Sequence, residues 1–163
     1  VTLARVAKSH AVAPRNPSWR ASTETLRFMQ QLWAVVHALD VRSKRMASTL
    51  GVTGPQRMVL RLIGRYRGAT AGDLATMLQL HASTLTGVLA RLETRGIIVR
   101  KVDREDRRRA RFALTASGKT IDAERKGTVE SAVGRALARC EPAAIGGFVE
   151  VVRLLVEELE REG

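Results

Sequence analysis

Cysteine is nearly absent. Cys140 stands alone among 163 residues, so no internal disulfide framework can hold the chain, and a reducing compartment, the cytoplasm, is expected. Aromatic residues are scarce, at 4%, a composition that suits helices better than a β-sandwich. Recognition of RNA usually needs exposed aromatic platforms, and the one tyrosine, Tyr66, falls at a helix end. No run approaches 18 uninterrupted apolar residues, so no membrane span is read. His10, His37 and His81 are scattered without paired-ligand spacing, which disfavours a metal site. The sequence offers no nucleophile beside a base and no phosphate-binding glycine loop. An enzyme is therefore not expected, nor is a cofactor.

Positive charge is what the chain does have. Its formal net charge is +12, and an excess of that size makes polyanions attractive partners. Arg5, Lys8, Arg15 and Arg20 occupy the first 20 residues with no acidic counterpart. Arg5 and Lys8 interrupt what a signal peptide would need as its apolar region, and Pro14 and Pro17 disfavour a continuous helix. Residues 1–21 are read as a flexible basic arm.

Residues 22–47 carry Leu26, Met29, Trp33, Val36 and Leu39 or Asp40 on one helical face. Pro55 suits the first position of a second helix, 55–66, with Met58, Val59, Leu62 and Ile63 facing inward. Thr70 and Asp73 form a capping box for a third helix, whose apolar side is Leu74, Met77 and Leu78. After a break at Leu80 and His81, a fourth helix over 82–95 buries Leu85, Val88, Leu89 and Leu92, and Gly96 stops it. Two short strands, 97–102 and 110–115, flank a polar loop. A fifth helix is expected from Thr115 to about residue 139 and a sixth from Pro142 to about residue 160. The expected fold is mainly α with a small β-hairpin, a winged helix-turn-helix over 51–115. A first dimerisation helix over 22–50 precedes it, and C-terminal dimerisation helices over 116–163 follow.

The order of two short helices and a basic hairpin carries the functional reading. A helix-turn-helix presents its second helix to the major groove, and an adjoining hairpin can reach a neighbouring groove. Opposite its buried stripe the fourth helix shows Ser83, Thr84, Thr86, Gly87, Ala90, Arg91 and Arg95. That strip is small and hydroxylated at one end, basic at the other and without an acid, with Glu93 pointing sideways. The hairpin adds Arg100, Lys101, Arg104, Arg107, Arg108, Arg109 and Arg111, and an arginine at its tip suits a narrow minor groove. Asp106 can hold Arg108 extended through a charge-assisted hydrogen bond.

Residues 78–118, with HASTLTGVLARLETRGIIVRKVDREDRRRARFALTASGK at their heart, resemble the multiple-antibiotic-resistance regulator (MarR) family. The most specific part is Asp106-x-Arg108 followed by Leu114-Thr115 and Gly118, and the likeness extends over about 22–160. The resemblance implies a transcription regulator, by default a repressor, that binds a palindromic operator in double-stranded DNA as a homodimer. It implies DNA contacts from Ser83, Thr84 and Thr86, a wing arginine at Arg108 and its partner at Asp106. It further implies a small aromatic or carboxylate effector between the dimer-forming and DNA-binding portions, for which Trp33, His37 and Met58 are candidates. Gly87 stands where many members carry a DNA-touching arginine, a contact that Arg91 could replace, and His81 stands where serine usually caps.

Blander readings accompany each feature. The arginine-rich loop could be a solvated charged loop, and the fourth helix an ordinary amphipathic one. His37 could be a plain interface histidine. Cys140 is read as a packed, inert thiol forming a hydrophobic staple with Ile145, since peroxide sensors of the family keep their cysteine in the first helix. The acidic residues of the sixth helix are read as a solvated face, and its apolar stripe as dimer packing. A basic RNA-binding or nucleoid protein without operator specificity is the main rival.

Overall fold

The computed structural model describes residues 24–102 and 109–161. The chain divides into two units, Val1–His37 and Ala38–Gly163. Helix α1 (Glu24–Leu50) supplies everything described in the first unit. The face expected to be apolar is present there, with Leu26, Met29, Trp33 and Val36 all exposed.

The second unit is built on a three-helix head. Helix α2 (Gly54–Arg65) opens on a capping box that the sequence reading did not include. Thr53 accepts from the Gln56 N–H, and the Gln56 side chain accepts from the Thr53 N–H at 3.0 Å. The expected box of α3 (Ala71–Leu78) is present, with Thr70 and Asp73 reciprocally bonded. Gln79 then takes a left-handed φ of 51° and turns the chain into α4 (Ala82–Thr94). Strands β1 (Ile98–Val102) and β2 (Ala110–Leu114) pair antiparallel, with Ile98 opposite Leu114 and Val102 opposite Ala110. The backbone just before α3 joins their edge: the Phe112 N–H donates to Ala69 O, and Thr70 bridges Arg111.

One core fixes this head. Leu60 and Ile63 of α2, Leu74 of α3, and Leu85, Leu89 and Leu92 of α4 meet Ile98 and Phe112 of the hairpin. Burying each such side chain contributes about 1.5–3 kcal/mol, so the three helices and the hairpin stand or fall together. Of the expected core positions of these helices, Leu62, Leu78 and Val88 are half-buried, and two are exposed, Met58 at 55% and Met77 at 44%. In α2 the inward face is Val59, Leu60 and Ile63 together with Arg57, which leaves Met58 at its border. In α3 a single residue, Leu74, is buried.

Beyond the hairpin the structure corrects the sequence reading. In place of one fifth helix there are α5 (Ala116–Ala123) and α6 (Val129–Leu137), followed by α7 (Pro142–Arg161). Glu124 leaves the helix in extended conformation, Gly127 takes a φ of +74°, and Thr128 caps α6 by accepting from the Ser131 N–H. A left-handed residue followed by a hydroxyl cap ends one helix and starts another. Gly127-Thr128 was the signal for that break in the sequence. Cys140 is also corrected. It is exposed, and its thiol donates to Ala136 O at 3.4 Å in place of the expected packing on Ile145.

The start of α5 is locked to the hairpin. Thr115 caps it through the Gly118 N–H, while the Thr115 N–H donates to Ile97 O. A Cβ on Gly118 would stand 2.1 Å from Ile97 O. Gly118→Ala is therefore expected to cost about 2–3 kcal/mol by overpacking. A urea unfolding midpoint unchanged from the parent would show that this close approach is not obligatory.

Candidate nucleic-acid interface

The fourth helix presents the strip read from its sequence. Leu85, Leu89 and Leu92 are buried, and Ser83, Thr84, Thr86, Gly87, Ala90 and Arg91 are exposed. Thr86 donates its hydroxyl to Ala82 O at 2.7 Å, so toward a ligand it offers mainly lone pairs and a methyl group. A Cβ on Gly87 would meet nothing within 4 Å, so the fold itself does not require glycine there. His81 occupies the cap position without a side-chain cap bond. The helix therefore begins with first-turn N–H groups that its own cap does not satisfy, at its positive dipole end. Arg95, placed on the strip by the sequence reading, leans elsewhere: its Nη2 would stand 2.9 Å from a Cβ on Gly51.

The hairpin lies beside that strip. Arg100 and Lys101 on β1, Arg109 before β2 and Arg111 on β2 are exposed. Arg111 donates to Gly68 O at 3.1 Å, which ties β2 to the loop before α3. Arg104, Asp106, Arg107 and Arg108 lie outside the described residues. Between α3, α4 and the hairpin is a hollow of about 430 Å³, lined among others by Asp73, Thr86, Glu93, Arg100 and Arg109. Glu93 shares that hollow with Thr86 and Ala90 of the strip and with Arg100 and Arg109 of the hairpin. Asp73 is committed to its helix: the Thr70 backbone N–H, and then the Thr70 hydroxyl, hold its carboxyl below the usual aspartate value. Asp73 is thus occupied by its cap, and Arg100, Lys101, Arg109 and Arg111 stay at the surface.

A second feature went unnoticed in the sequence. Arg57 is 1% exposed. Its Nε donates to Glu130 Oε1 at 2.7 Å, and its Nη2 donates to Glu124 O at 2.6 Å and Asp122 O at 3.2 Å. Its Nη1 donates to Ile121 O. One guanidinium on α2 therefore closes the C-terminal carbonyls of α5 and the first turn of α6 across the break between them. Beside it, Arg61 holds Asp122 at 2.9 Å. These groups border a cavity of about 540 Å³ between the second-unit part of α1, α2 and α6, which Met58 also lines. Trp33 and His37, its expected companions, are exposed residues of the other unit. Among the described residues, no group of three or more His, Cys, Asp or Glu could hold a metal ion, and no helix is long and apolar enough to cross a membrane.

This order of elements, with a capped α3, the α4 strip and an antiparallel hairpin sharing one core, defines a winged helix-turn-helix. Residues 50–109 match the model of the MarR family. The organic hydroperoxide resistance transcriptional regulator of Bacillus subtilis (strain 168) is 32% identical over 87 residues, which cover 53% of this chain. The chain spans 59% of that relative's length. A crystal structure of MarR is similar at 27% identity and a TM-score of 0.58, covering 82% of this chain and 98% of that one. The fold is also shared with the MepR–DNA complex of S. aureus, at a TM-score of 0.67 and 19% identity, over 81% of this chain and 97% of that one. The likeness to the MarR family model lies in residues 50–109, which span α2 to α4 and β1.

The pairing of Glu130 has a consequence for pH. Burial pushes its carboxyl up, but the Arg57 hydrogen bond, its own backbone N–H and the charge of Arg57 bring it below the ordinary glutamate value. A carboxyl depressed on folding adds stability that is complete above its unfolded pKa, about 4.3. That stability is lost as pH falls through the lower folded value. Unfolding midpoints between pH 7 and 3 should show an acid limb that is shallower in Glu130→Gln. Parallel limbs in the two proteins would contradict the pairing.

Proposed function

We propose that this protein is a cytoplasmic, sequence-specific transcription regulator that binds a palindromic operator as a homodimer and represses by occupancy. The observation that carries the reading is the α4 strip. It is exposed along its length, free of acids, open at Gly87 and flanked by Arg100, Lys101 and Arg109. Small residues let a helix backbone approach the floor of the major groove, while hydroxyls and arginine supply hydrogen bonds to phosphates and base edges. Ser83, Thr84, Thr86 and Arg91 are the proposed recognition-helix contacts. Arg104, Arg107, Arg108 and Arg109 are the proposed wing contacts, with Asp106 orienting Arg108. The similarity to a MepR–DNA complex supports this docking through its fold.

The dimer is proposed from the apolar surface that one chain leaves bare. No residue of α7 is buried, and Phe148, Val151, Leu154 and Leu159 are all exposed, as are Trp33 and Val36 of α1. Faces of this kind mark interaction sites, and two copies give each operator half-site its own α4, about one helical turn apart. A small-molecule effector bound on the Met58 side of α2 is the proposed release signal. As a DNA-binding regulator the protein has no catalytic role in this reading.

Selection from random duplex DNA followed by anisotropy titration tests the proposal. The selected duplex should be palindromic and preferred over random duplex by roughly a thousandfold or more. The log–log salt slope should be about 0.9 for each phosphate neutralised. Recovery of no consensus, or equal affinity for every duplex, would favour a nucleoid-type binder. Arg108→Ala should weaken binding and relax preference at the flanks, and unchanged affinity would remove the wing assignment.

Gly87→Ala separates fold from function. Glycine in a helix interior costs about 0.5–1 kcal/mol relative to alanine, and no neighbour obstructs the new methyl group. The variant should melt at a higher temperature yet bind operator more weakly. Equal operator affinity would mean that α4 does not approach the groove at Gly87.

A further inference from the structure

Between α5 and α6 the backbone leaves its helix at Glu124 and enters the next after Thr128. A helix running straight through would bond each N–H there to the carbonyl four residues earlier. Side chains have taken those groups instead. The N–H groups of Arg125 and Lys126 both donate to the Glu124 carboxylate, at 2.8 and 2.7 Å. Their helical acceptors, Ile121 O and Asp122 O, receive the Arg57 guanidinium, as does Glu124 O, the helical acceptor for Thr128. Arg125 O takes the hydroxyls of Thr128 and Ser131, and Gly127 O takes Arg42 of α1 at 3.3 Å. Glu124, Thr128 and Ser131 belong to the break or to the first turn of α6, whereas Arg42 and Arg57 reach it from other helices.

The sequence over 116–137 does not forbid a continuous helix. It contains no proline, and Gly127 and Thr128 are poor helix formers but not breakers. The choice between a broken and a continuous helix is therefore made by the substitute bonds, and Arg57 supplies the largest share. Its contacts are also incompatible with the continuous form. One guanidinium holds both Ile121 O and Glu130 Oε1. In a straight helix those residues, nine positions apart, would face opposite sides of the cylinder and stand about 13 Å apart along it.

We propose that the α5–α6 break is a two-state joint, broken as described or continuous over 116–137, and that Arg57 is the positioning residue that holds it broken. Each state sends α6, and the apolar α7 that follows it, in its own direction from the winged-helix head. Where α7 joins two copies, the joint sets the separation of their α4 helices and hence the preferred spacing of operator half-sites. That consequence rests on the regulator reading, and the joint itself does not.

Cα chemical shifts of Glu124 and Thr128 in the isotope-labelled full chain, without DNA, report the joint directly. Both residues are extended in the broken state, so in the parent both should lie on the strand side of their random-coil values. Three variants act on the joint from different sides. Arg57→Lys keeps a charge for Glu130 but loses the fork that serves the carbonyls. Glu130→Ala removes the anchor on α6. Gly127→Ala penalises the left-handed residue while meeting no neighbour. Each should raise the continuous population by about tenfold, moving both shifts toward the helical side, and Glu130→Ala with Gly127→Ala should move them farthest. If the changes at Arg57 or Glu130 prevent folding, which circular dichroism verifies, Gly127→Ala decides alone, because it leaves every atom of the clamp in place. Helical shifts in the parent, or parent-like shifts in the folded variants, would overturn the proposal. On operators with half-site spacing varied one base pair at a time, the variants should change the preferred spacing. A uniform loss of affinity without that change would overturn the spacing role. A chain whose shifts respond but which binds no duplex loses the regulator reading alone, and one that binds operator with unresponsive shifts loses the joint alone.

Discussion

The Arg57 guanidinium is the contact on which the arrangement of the second unit depends. Three elements converge on it: α2, which carries it, the carbonyl end of α5, and the first turn of α6 through Glu130. Burial of a lone cation would be prohibitive, and burial of a simple ion pair is often no better than an apolar substitute. Here the fork shape of arginine matters, because it can serve a carboxylate and several carbonyls at once in one plane. Those carbonyls lie at the C-terminal end of α5, the negative end of its dipole, where intrahelical donors run out and only Ile121 O accepts from the cap residue's N–H. A methionine of similar volume would fill the space but leave Glu130 without its cation and remove one donor from each of these carbonyls. The interaction thus offsets two costs together, a buried charge and an unfinished helix end.

That clamp explains why the chain tolerates a break in what would otherwise be one long helix. Residues 124–128 contain an extended glutamate, a left-handed glycine and a buried threonine cap, a geometry with no regular backbone ladder. It is held because Arg57 binds one side and, through Glu130, the other. Glu124 itself is drawn in: the backbone N–H groups of Lys126 and Arg125 donate to its carboxylate and keep its pKa below the usual value. The direction in which α6 departs is therefore set from α2, an element of the winged-helix core.

The head was legible in the sequence because each of its signals is local. The Thr70–Asp73 box, the stripe Leu85-Leu89-Leu92, the stop at Gly96 and the alternation around Phe112 depend on residues within a few positions of one another. What escaped was non-local. The burial of Arg57 rests on partners 64 to 73 positions away, and nothing in the α2 sequence distinguishes it from the exposed Arg65. Met58 and Met77 read as core by spacing alone, yet the faces actually buried are set by which neighbours each helix meets. The break at 124–128 is the intermediate case. Its glycine and threonine were visible, but the helical propensity around them outweighed the signal until a tertiary contact stabilised the alternative. Within the candidate site, the α4 strip was legible as a face and Arg95 was not, since its lean toward Gly51 is decided by the corner before α2.

The charge pattern follows the same division of labour. An excess of +12 spread evenly would attract any polyanion and position none. Instead, the α4 strip carries no acid, and Asp73 beside it is occupied by the cap of α3. Farther back, Asp122 and Glu130 neutralise Arg61 and Arg57. Exposed basic side chains stand on α4 and the hairpin, while Arg57 and Arg61 on α2 are paired with Glu130 and Asp122. Basic side chains at the front and paired ones at the back give the two surfaces different electrostatic character. The same short stretch of α2 stands between them.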